Sequence, residues 1–162
     1  EVYRELLVSH RTHRASIQII GYSAEELGLL GSRAVAESYQ TAHATVRGVM
    51  QLDMVGYTGS SREGRITYMM DNVDVDLTRW TQRLHTLYFN EPFAESSCGY
   101  GCSDHASWTR YGYSSVMPFE SMMNDMNHRI HSENDIWDGV LDANHAQKFA
   151  RLGYAFAAEL SK

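Results

Sequence analysis

The sequence has few of the features that mark disordered, membrane-spanning or nucleic-acid-binding chains. It contains only two prolines, no low-complexity segment and no internal repeat. No apolar run approaches the roughly 20 residues that a membrane-spanning helix needs. The net charge of −6 argues against nucleic acid or an anionic membrane surface as a partner. A hydrophobic fraction of 43% in 162 residues instead predicts one globular domain spanning residues 1–162.

Cysteine is also scarce, because Cys98 and Cys102 are the only two in the chain. No second cysteine pair exists to complete a thiolate zinc site, and the spacing is not the usual one for a metal pair. Two glycines between them allow a tight loop, so a local disulfide is favoured over a metal site. A disulfide indicates an oxidising compartment, which places the protein outside the cell or in a periplasm. The chain begins without Met inside an expected helix, which indicates a processed or truncated chain.

Hydrophobic periodicity predicts strands that alternate with helices. The expected helices cover residues 2–10, 28–42, 75–89, 104–111 and 144–160. The expected strands cover residues 16–22, 46–55, 65–70 and 114–119. Residues 93–103 read as irregular, and residues 120–138 form a long polar loop, which in a compact domain is usually functional. The alternation predicts an α/β sandwich.

Polar motifs that could carry chemistry stand at the ends of the expected strands. Glu25 and Glu26 follow the first strand, Asp53 ends the second, and His131 lies in the long polar loop. Each has an ordinary explanation, since two acids can stabilise the first turn of a helix, an Asp can cap a turn, and a loop His can be solvated. Together they are the ligand types of a hydrolytic zinc site at one sheet edge.

Five stretches in order carry a resemblance to a known family. They are Tyr22-Ser23-Ala24-Glu25-Glu26-Leu27-Gly28-Leu29, Gln51-Leu52-Asp53-Met54, Cys98-Gly99-Tyr100-Gly101-Cys102-Ser103-Asp104-His105-Ala106-Ser107-Trp108, Met117-Pro118-Phe119-Glu120-Ser121 and Arg129-Ile130-His131. The chain resembles the C-terminal part of the secreted di-zinc aminopeptidases of the M28 peptidase family, in particular the bacterial leucyl aminopeptidases of Vibrio type. The resemblance implies a three-layer α/β/α sandwich with a mixed sheet, from which the N-terminal part of the fold is missing.

The resemblance also implies a role for each chemistry-bearing residue. Glu25 matches the general base of a hydrolysis in which two zinc ions activate water. Glu26 and His131 match ligands of one zinc, and Asp53 matches a ligand of the other. A carboxylate close to such a water is the residue type that this proton transfer requires.

The cysteine pair matches a disulfide loop that lines the pocket for the first side chain of the substrate. Five residues match lining positions, namely Cys98, Tyr100, Cys102, Met117 and Phe119, and Met54 and Ile130 are expected to line the pocket as well. Soft and apolar walls suit Leu, Met or Phe at the free N-terminus of a peptide substrate. The competing interpretation is that Met117 and Phe119 belong to the core. Met123 and Met126 stand where the family has aromatic residues, which leaves the specificity open.

Two residues that the family needs are absent from this chain. A His and a bridging Asp should precede Glu25, but no Asp occurs before Asp53, and the upstream histidines lie in another context. The expected ligand set is therefore incomplete, since a catalytic zinc usually has three protein ligands. We expect the remaining ligands on a missing N-terminal segment or a second chain, and we expect this chain alone to be inactive.

Three alternatives compete with an aminopeptidase. One is a non-catalytic binding domain or inactive fragment on the peptidase scaffold, and the second is a single-zinc enzyme like glutaminyl cyclase. The third is a serine hydrolase built on Ser103, Asp104 and His105, which is rejected because three consecutive residues do not form a catalytic triad. Asp104 is instead expected to cap a short helix.

Overall fold

The computed structural model describes residues 1–9 and 12–162, so residue 10 of the first expected helix lies outside the described part. The helices are α1 Val2–Val8, α2 Leu30–Thr41, α3 Val75–Phe89, α4 His105–Arg110 and α5 Ala143–Leu160, with a short 3-10 helix at Met123–Asp125. The strands are β1 Val49–Met50, β2 Thr67–Met69, β3 Ala94–Ser96, β4 Ser115–Val116 and β5 Pro118–Phe119. Within the described ranges, every helix is too short or too polar to cross a membrane.

The strands form two small sheets. Strands β1 and β4 pair in parallel, and the second sheet has the order β3-β2-β5. In that sheet β2 is parallel to β3 and antiparallel to β5, so the sheet is mixed, as predicted. The expected strand 114–119 divides at Met117, whose carbonyl accepts a hydrogen bond from Met69. The chain thus moves from one sheet to the other at Met117.

Local sequence signals explain where the two long helices begin. Asp74 caps α3 by accepting the backbone N–H of Leu77 at 2.8 Å, and Asp142 caps α5 through the N–H of Asn144 at 2.7 Å. Helix α3 packs on α5, α2 packs on α4, and both α3 and α4 contact β4. Two pairs of helices thus flank the strands, which is the layered α/β/α class that the sequence predicts, in partial form.

The main core lies between α3, α5 and the strands. Its fully or nearly buried members are Ile66, Tyr68, Leu77, Val116, Phe149, Leu152 and Phe156. Large apolar residues of both long helices face this cluster, because their periodic spacing places them on one side of each helix. Burial of apolar area at roughly 25 cal/mol per Å² is the term that stabilises this arrangement.

The structure departs from the expected strands in three places. Residues 16–22 form no ladder in the described part of the chain, and they line a groove of about 540 Å³ that β1 borders on the other side. The expected strand 46–55 is reduced to Val49–Met50, and β3 lies inside the segment expected to be irregular. A strand needs a hydrogen-bonded neighbour, and hydrophobic patterning within one segment does not reveal which neighbours exist.

Candidate functional site

The two adjacent glutamates lie in a closed turn that precedes α2. The N–H groups of Gly28 and Leu29 donate to the carbonyl of Glu25 at 3.0 and 2.7 Å, and Gly31 donates to the carbonyl of Ser23 at 3.0 Å. A Cβ atom at Gly31 would stand 2.4 Å from the carbonyl oxygen of Ser23, so this position requires glycine. The first turn of α2 contains no acidic residue, which excludes the interpretation of these glutamates as helix-stabilising acids.

Glu26 contacts His131, which lies in the long polar loop. The Nε2 atom of His131 lies 2.6 Å from Oε1 of Glu26, and the two side chains are 65% and 67% exposed. His131 has a φ of 62°, a left-handed conformation that is uncommon for a residue other than glycine. Ala24, in the glutamate turn, is also left-handed, at 56°. Strained backbone of this kind concentrates at functional sites.

Glu25 is half-buried beside this pair. Its burial raises the pKa of its carboxyl, and the negative charges of Glu26, Asp53 and Asp104 raise it further, while His131 opposes the shift. The residues predicted as base and metal ligands therefore act on one another electrostatically. A carboxyl with a raised pKa in such a cluster is the type of group that serves as a proton acceptor.

Asp53 is exposed and is held by a buried serine. The hydroxyl of Ser103 donates to Oδ2 of Asp53 at 2.8 Å, and Ser103 is 0% exposed. This contact leaves the other carboxylate oxygen of Asp53 available to a ligand. In the sequence, Ser103 suggests only a nucleophile beside Asp104 and His105, a role that is excluded above. Its position directly after the cysteine loop was the only signal that could have indicated this supporting role.

Asp104 does not have the role that the sequence predicts. It precedes α4, but its side chain makes no capping hydrogen bond. Its φ and ψ of −60° and −19° are helical, whereas a capping side chain needs an extended backbone at that position. Burial raises the pKa of Asp104, a hydrogen bond with Ser32 opposes the shift, and the charge of Asp53 adds to it. Asp104 is therefore a buried carboxyl behind Asp53.

Five of the seven residues matched to a substrate pocket lie in one apolar cluster. Met117 and Phe119 are 1% and 3% exposed, and Met54, Cys98 and Cys102 pack against them. Met123 and Met126 pack against the same cluster. The other two residues differ, since Tyr100 is 61% exposed and Ile130 is half-buried. Met117 and Phe119 are buried in the core, and their role in a substrate pocket stays a prediction.

The predicted disulfide between Cys98 and Cys102 is present. Its loop is fixed by Asp71, whose carboxylate accepts the N–H groups of Cys98 at 3.0 Å and Gly99 at 2.5 Å. Asp71 follows β2, and no sequence signal marked it as the anchor of this loop. The anchored loop covers one side of the apolar cluster.

The donors that the structure brings together suit zinc in type but not in number. A carboxylate oxygen and an imidazole nitrogen are ordinary zinc ligands, and Glu26 and His131 supply one of each. Across residues 1–9 and 12–162, no group of three His, Cys, Asp or Glu side chains is arranged to hold a metal ion. The described part of the chain therefore supplies a partial metal site.

Comparison with known proteins identifies what this arrangement is similar to. The family model described as peptidase family M28 matches residues 1–157. The chain is 39% identical to leucine aminopeptidase 1 of Coccidioides posadasii (strain C735) over 169 residues, which cover 99% of this chain and 43% of that protein. Leucine aminopeptidase 1 of Penicillium rubens is 37% identical, with 99% and 44% covered.

Solved structures of aminopeptidases also match this chain. The LapA aminopeptidase of Legionella pneumophila matches with a TM-score of 0.94 and 37% identity, over 99% of this chain and 43% of that chain. BSAP, a zinc aminopeptidase from Bacillus subtilis, matches with a TM-score of 0.69 and 19% identity, over 88% of this chain and 35% of that chain, and so supports the fold alone. The chain thus spans less than half the length of these proteins.

Proposed function

The chain belongs to peptidase family M28, and from this we propose that it forms part of a metallo-aminopeptidase acting on peptides with an apolar first residue. The relatives named leucine aminopeptidase support both the reaction and a Leu-type substrate. The partners of this proposal are peptides with a free N-terminus. The expected cofactor is zinc, which the carboxylate of Glu26 and the imidazole of His131 suit as ligands, with two ions in the complete site.

The observation that carries the proposal is the meeting of Glu26 and His131 at 2.6 Å beside the half-buried Glu25. These residues come from segments more than 100 positions apart, so the fold itself creates their proximity. In the proposed function Glu25 is the general base, Glu26 and His131 bind one metal ion, and Asp53 binds the other. Zinc, when bound, supplies Lewis acidity toward the water and the substrate carbonyl.

Side chains of this chain would transfer the proton, orient a metal ligand and bind the substrate. The carboxylate of Glu25 is the group that would accept a proton from water and return it to the leaving amine. Ser103 orients the carboxylate of Asp53 through its hydrogen bond. We propose that the pocket for the first side chain adjoins the apolar cluster of Met54, Met117 and Phe119. Tyr100 and Ile130 belong to the same proposal as residues at the rim.

The proposal requires groups beyond those described. Glu26 and His131 make two ligands, one fewer than a catalytic zinc usually has. We therefore propose that a further segment, or a second chain, completes the site and that these 162 residues alone do not catalyse hydrolysis. The disulfide between Cys98 and Cys102 supports an extracellular or periplasmic location.

A chimera tests the proposed function. The 162 residues would replace the matching segment of Legionella LapA, which supplies the rest of the fold. We expect the chimera to release leucine from leucine p-nitroanilide and not to cyclise an N-terminal Gln. The variant E25Q should lose most of this activity but keep its metal, whereas E37Q, the same change on the exposed face of α2, should retain activity. A cooperatively folding, zinc-loaded chimera without peptidase activity would favour the binding domain, and Gln cyclisation would favour the cyclase.

A further inference from the structure

Glu120 is a buried carboxylate at the end of β5 that none of the roles above uses. It is 2% exposed, and each of its carboxylate oxygens accepts from a different loop. Oε2 accepts the N–H of Gly56 at 3.3 Å and that of Tyr57 at 2.9 Å. Oε1 accepts the N–H of Asn127 at 3.1 Å. One side chain therefore joins two loops that are about 70 residues apart in sequence.

Each of these loops carries a proposed metal ligand. Gly56 and Tyr57 follow Asp53 by three and four residues, and Asn127 precedes His131 by four. Asp53 and His131 are assigned to different metal ions, so their separation decides whether two ions fit. Glu120 is the one described side chain whose carboxylate accepts backbone N–H groups from both loops.

Asn127 transmits this anchorage to the His131 loop. Its side-chain oxygen accepts the N–H of Arg129 at 3.1 Å, and its side-chain nitrogen donates to Asp135 at 2.9 Å. The carbonyl of Asn127 also accepts the N–H of Ile130 at 3.4 Å. The partners of Asn127 therefore lie on both sides of His131 in the sequence, with Arg129 and Ile130 before it and Asp135 after it. The loop that holds His131 in its left-handed conformation is thus organised around a residue fixed by Glu120.

Glu120 is itself held firmly. Its carbonyl lies 2.8 Å from Nε2 of the buried His145 on α5, and the preceding residues pair with β2. Burial raises the pKa of Glu120, and the three N–H donors oppose this shift by stabilising the ionised form. A buried carboxylate persists only where such donors satisfy it. The clamp therefore connects both loops to the sheet and to α5.

We propose that Glu120 is a positioning residue that sets the distance between the Asp53 loop and the His131 loop, and so between the two metal ions. This inference rests on the proposed function in assigning Asp53 and His131 to metal. The loop connection itself depends only on the hydrogen bonds above.

The variant E120Q tests the clamp with almost no change in volume. Gln offers one acceptor oxygen and one NH₂ group, so its oxygen can accept the N–H groups of only one loop. Its NH₂ group then lies opposite the N–H groups of the other loop, where two donors meet and no hydrogen bond forms. We expect amide hydrogen exchange to become about 10- to 100-fold faster at Gly56 and Tyr57 or at Asn127 in the 162-residue chain. E120A should accelerate exchange in both loops.

The matched control is D74N, the same chemical change elsewhere. Asp74 also bridges two partners, the N–H of Leu77 at 2.8 Å and the hydroxyl of Ser114 at 2.7 Å, but it touches neither metal-ligand loop. D74N should lower the urea midpoint and leave exchange in both loops at the wild-type rate. Unchanged exchange in E120Q, or equal acceleration in D74N, would overturn the clamp.

A Zn²⁺ titration separates positioning from simple stabilisation. Zn²⁺ is the only ligand added to the 162-residue chain, and the NMR signals of the His131 ring report its binding. We expect E120Q to weaken this binding about 10- to 100-fold, as for other residues that orient metal ligands, and D74N to leave it unchanged. Equal binding in E120Q and D74N would overturn the positioning role. Wild-type His131 signals that Zn²⁺ does not move at any concentration would count against Glu26 and His131 as metal ligands, whereas weak binding that dialysis removes agrees with an incomplete site. In either case the exchange rates decide whether Glu120 joins the loops.

Discussion

His105 provides a quantitative test of the packing beneath the cysteine loop. It is 0% exposed, and neither ring nitrogen has a hydrogen-bond partner in the described part of the chain. Burial lowers the pKa of His105 from 6.5 to about 4, while the negative charge of Asp71 opposes the shift. The native state therefore holds a neutral ring, whereas the unfolded chain binds a proton near pH 6.5.

The sign of the effect follows from this difference. The stabilisation from the neutral ring is present above pH 6.5 and is lost as the pH falls toward 4. The full shift from 6.5 to about 4 corresponds to about 3 kcal/mol. Between pH 7 and pH 5 the same pKa values predict a loss of about 2 kcal/mol.

Urea unfolding of the wild type and H105Q at pH 7 and pH 5 isolates this contribution. Gln does not titrate, so the stability difference between the two proteins should shift by about 2 kcal/mol against the wild type at pH 5. The variant H43Q changes an exposed histidine and should track the wild type at both pH values. In parallel, the ring signals of His105 should titrate with a pKa of about 4. A constant stability difference, or a His105 midpoint near 6.5, would show that the native state does not hold the His105 ring buried and neutral.

Three further predictions concern the site. In the LapA chimera, replacing Glu25 by Gln should lower leucine p-nitroanilide hydrolysis by about 10²- to 10⁴-fold at unchanged zinc content, and a smaller loss would remove Glu25 from the role of base. Gly31→Ala should disrupt the turn that holds Glu25 and Glu26, because the new Cβ would lie 2.4 Å from the carbonyl oxygen of Ser23. In the control Gly21→Ala the new Cβ has no neighbour within 4 Å, so equal thermal midpoints of the two variants would contradict this prediction. Replacing both Cys98 and Cys102 by Ser should destabilise the protein by about 2 kcal/mol in urea unfolding, from the entropy of a five-residue loop, and an unchanged midpoint would argue against it.

The long helices and the class of fold could be predicted from the sequence. Helix α3 occupies residues 75–89 as predicted, and α5 begins one residue before its predicted start. Both have a periodic apolar face and an aspartate at the N-cap, so the signals lie within the element itself. Glu26 and His131, which the resemblance assigns to one zinc, lie 2.6 Å apart, and their role as metal ligands stays a prediction. That expectation came from the order of motifs and not from local propensity.

The features that the sequence did not reveal depend on distant partners. Strand β3 exists because residues 94–96 find β2, while residues 16–22 have the stronger strand pattern and no partner in the described part of the chain. Asp104 looks like a helix cap, but its helical backbone turns its carboxyl toward Ser32. The support of Asp53 by Ser103 joins residues 50 positions apart. Such contacts depend on the fold as a whole.

Zinc content, measured by elemental analysis on the purified 162-residue chain, is the decisive measurement. The conclusion to be checked is that the chain carries a general base and part of a metal site that it does not complete alone. It predicts less than one tightly bound zinc per 18.4 kDa chain after dialysis, together with no release of leucine from leucine p-nitroanilide. Two tightly bound zinc ions per chain, with measurable hydrolysis, would contradict the claim.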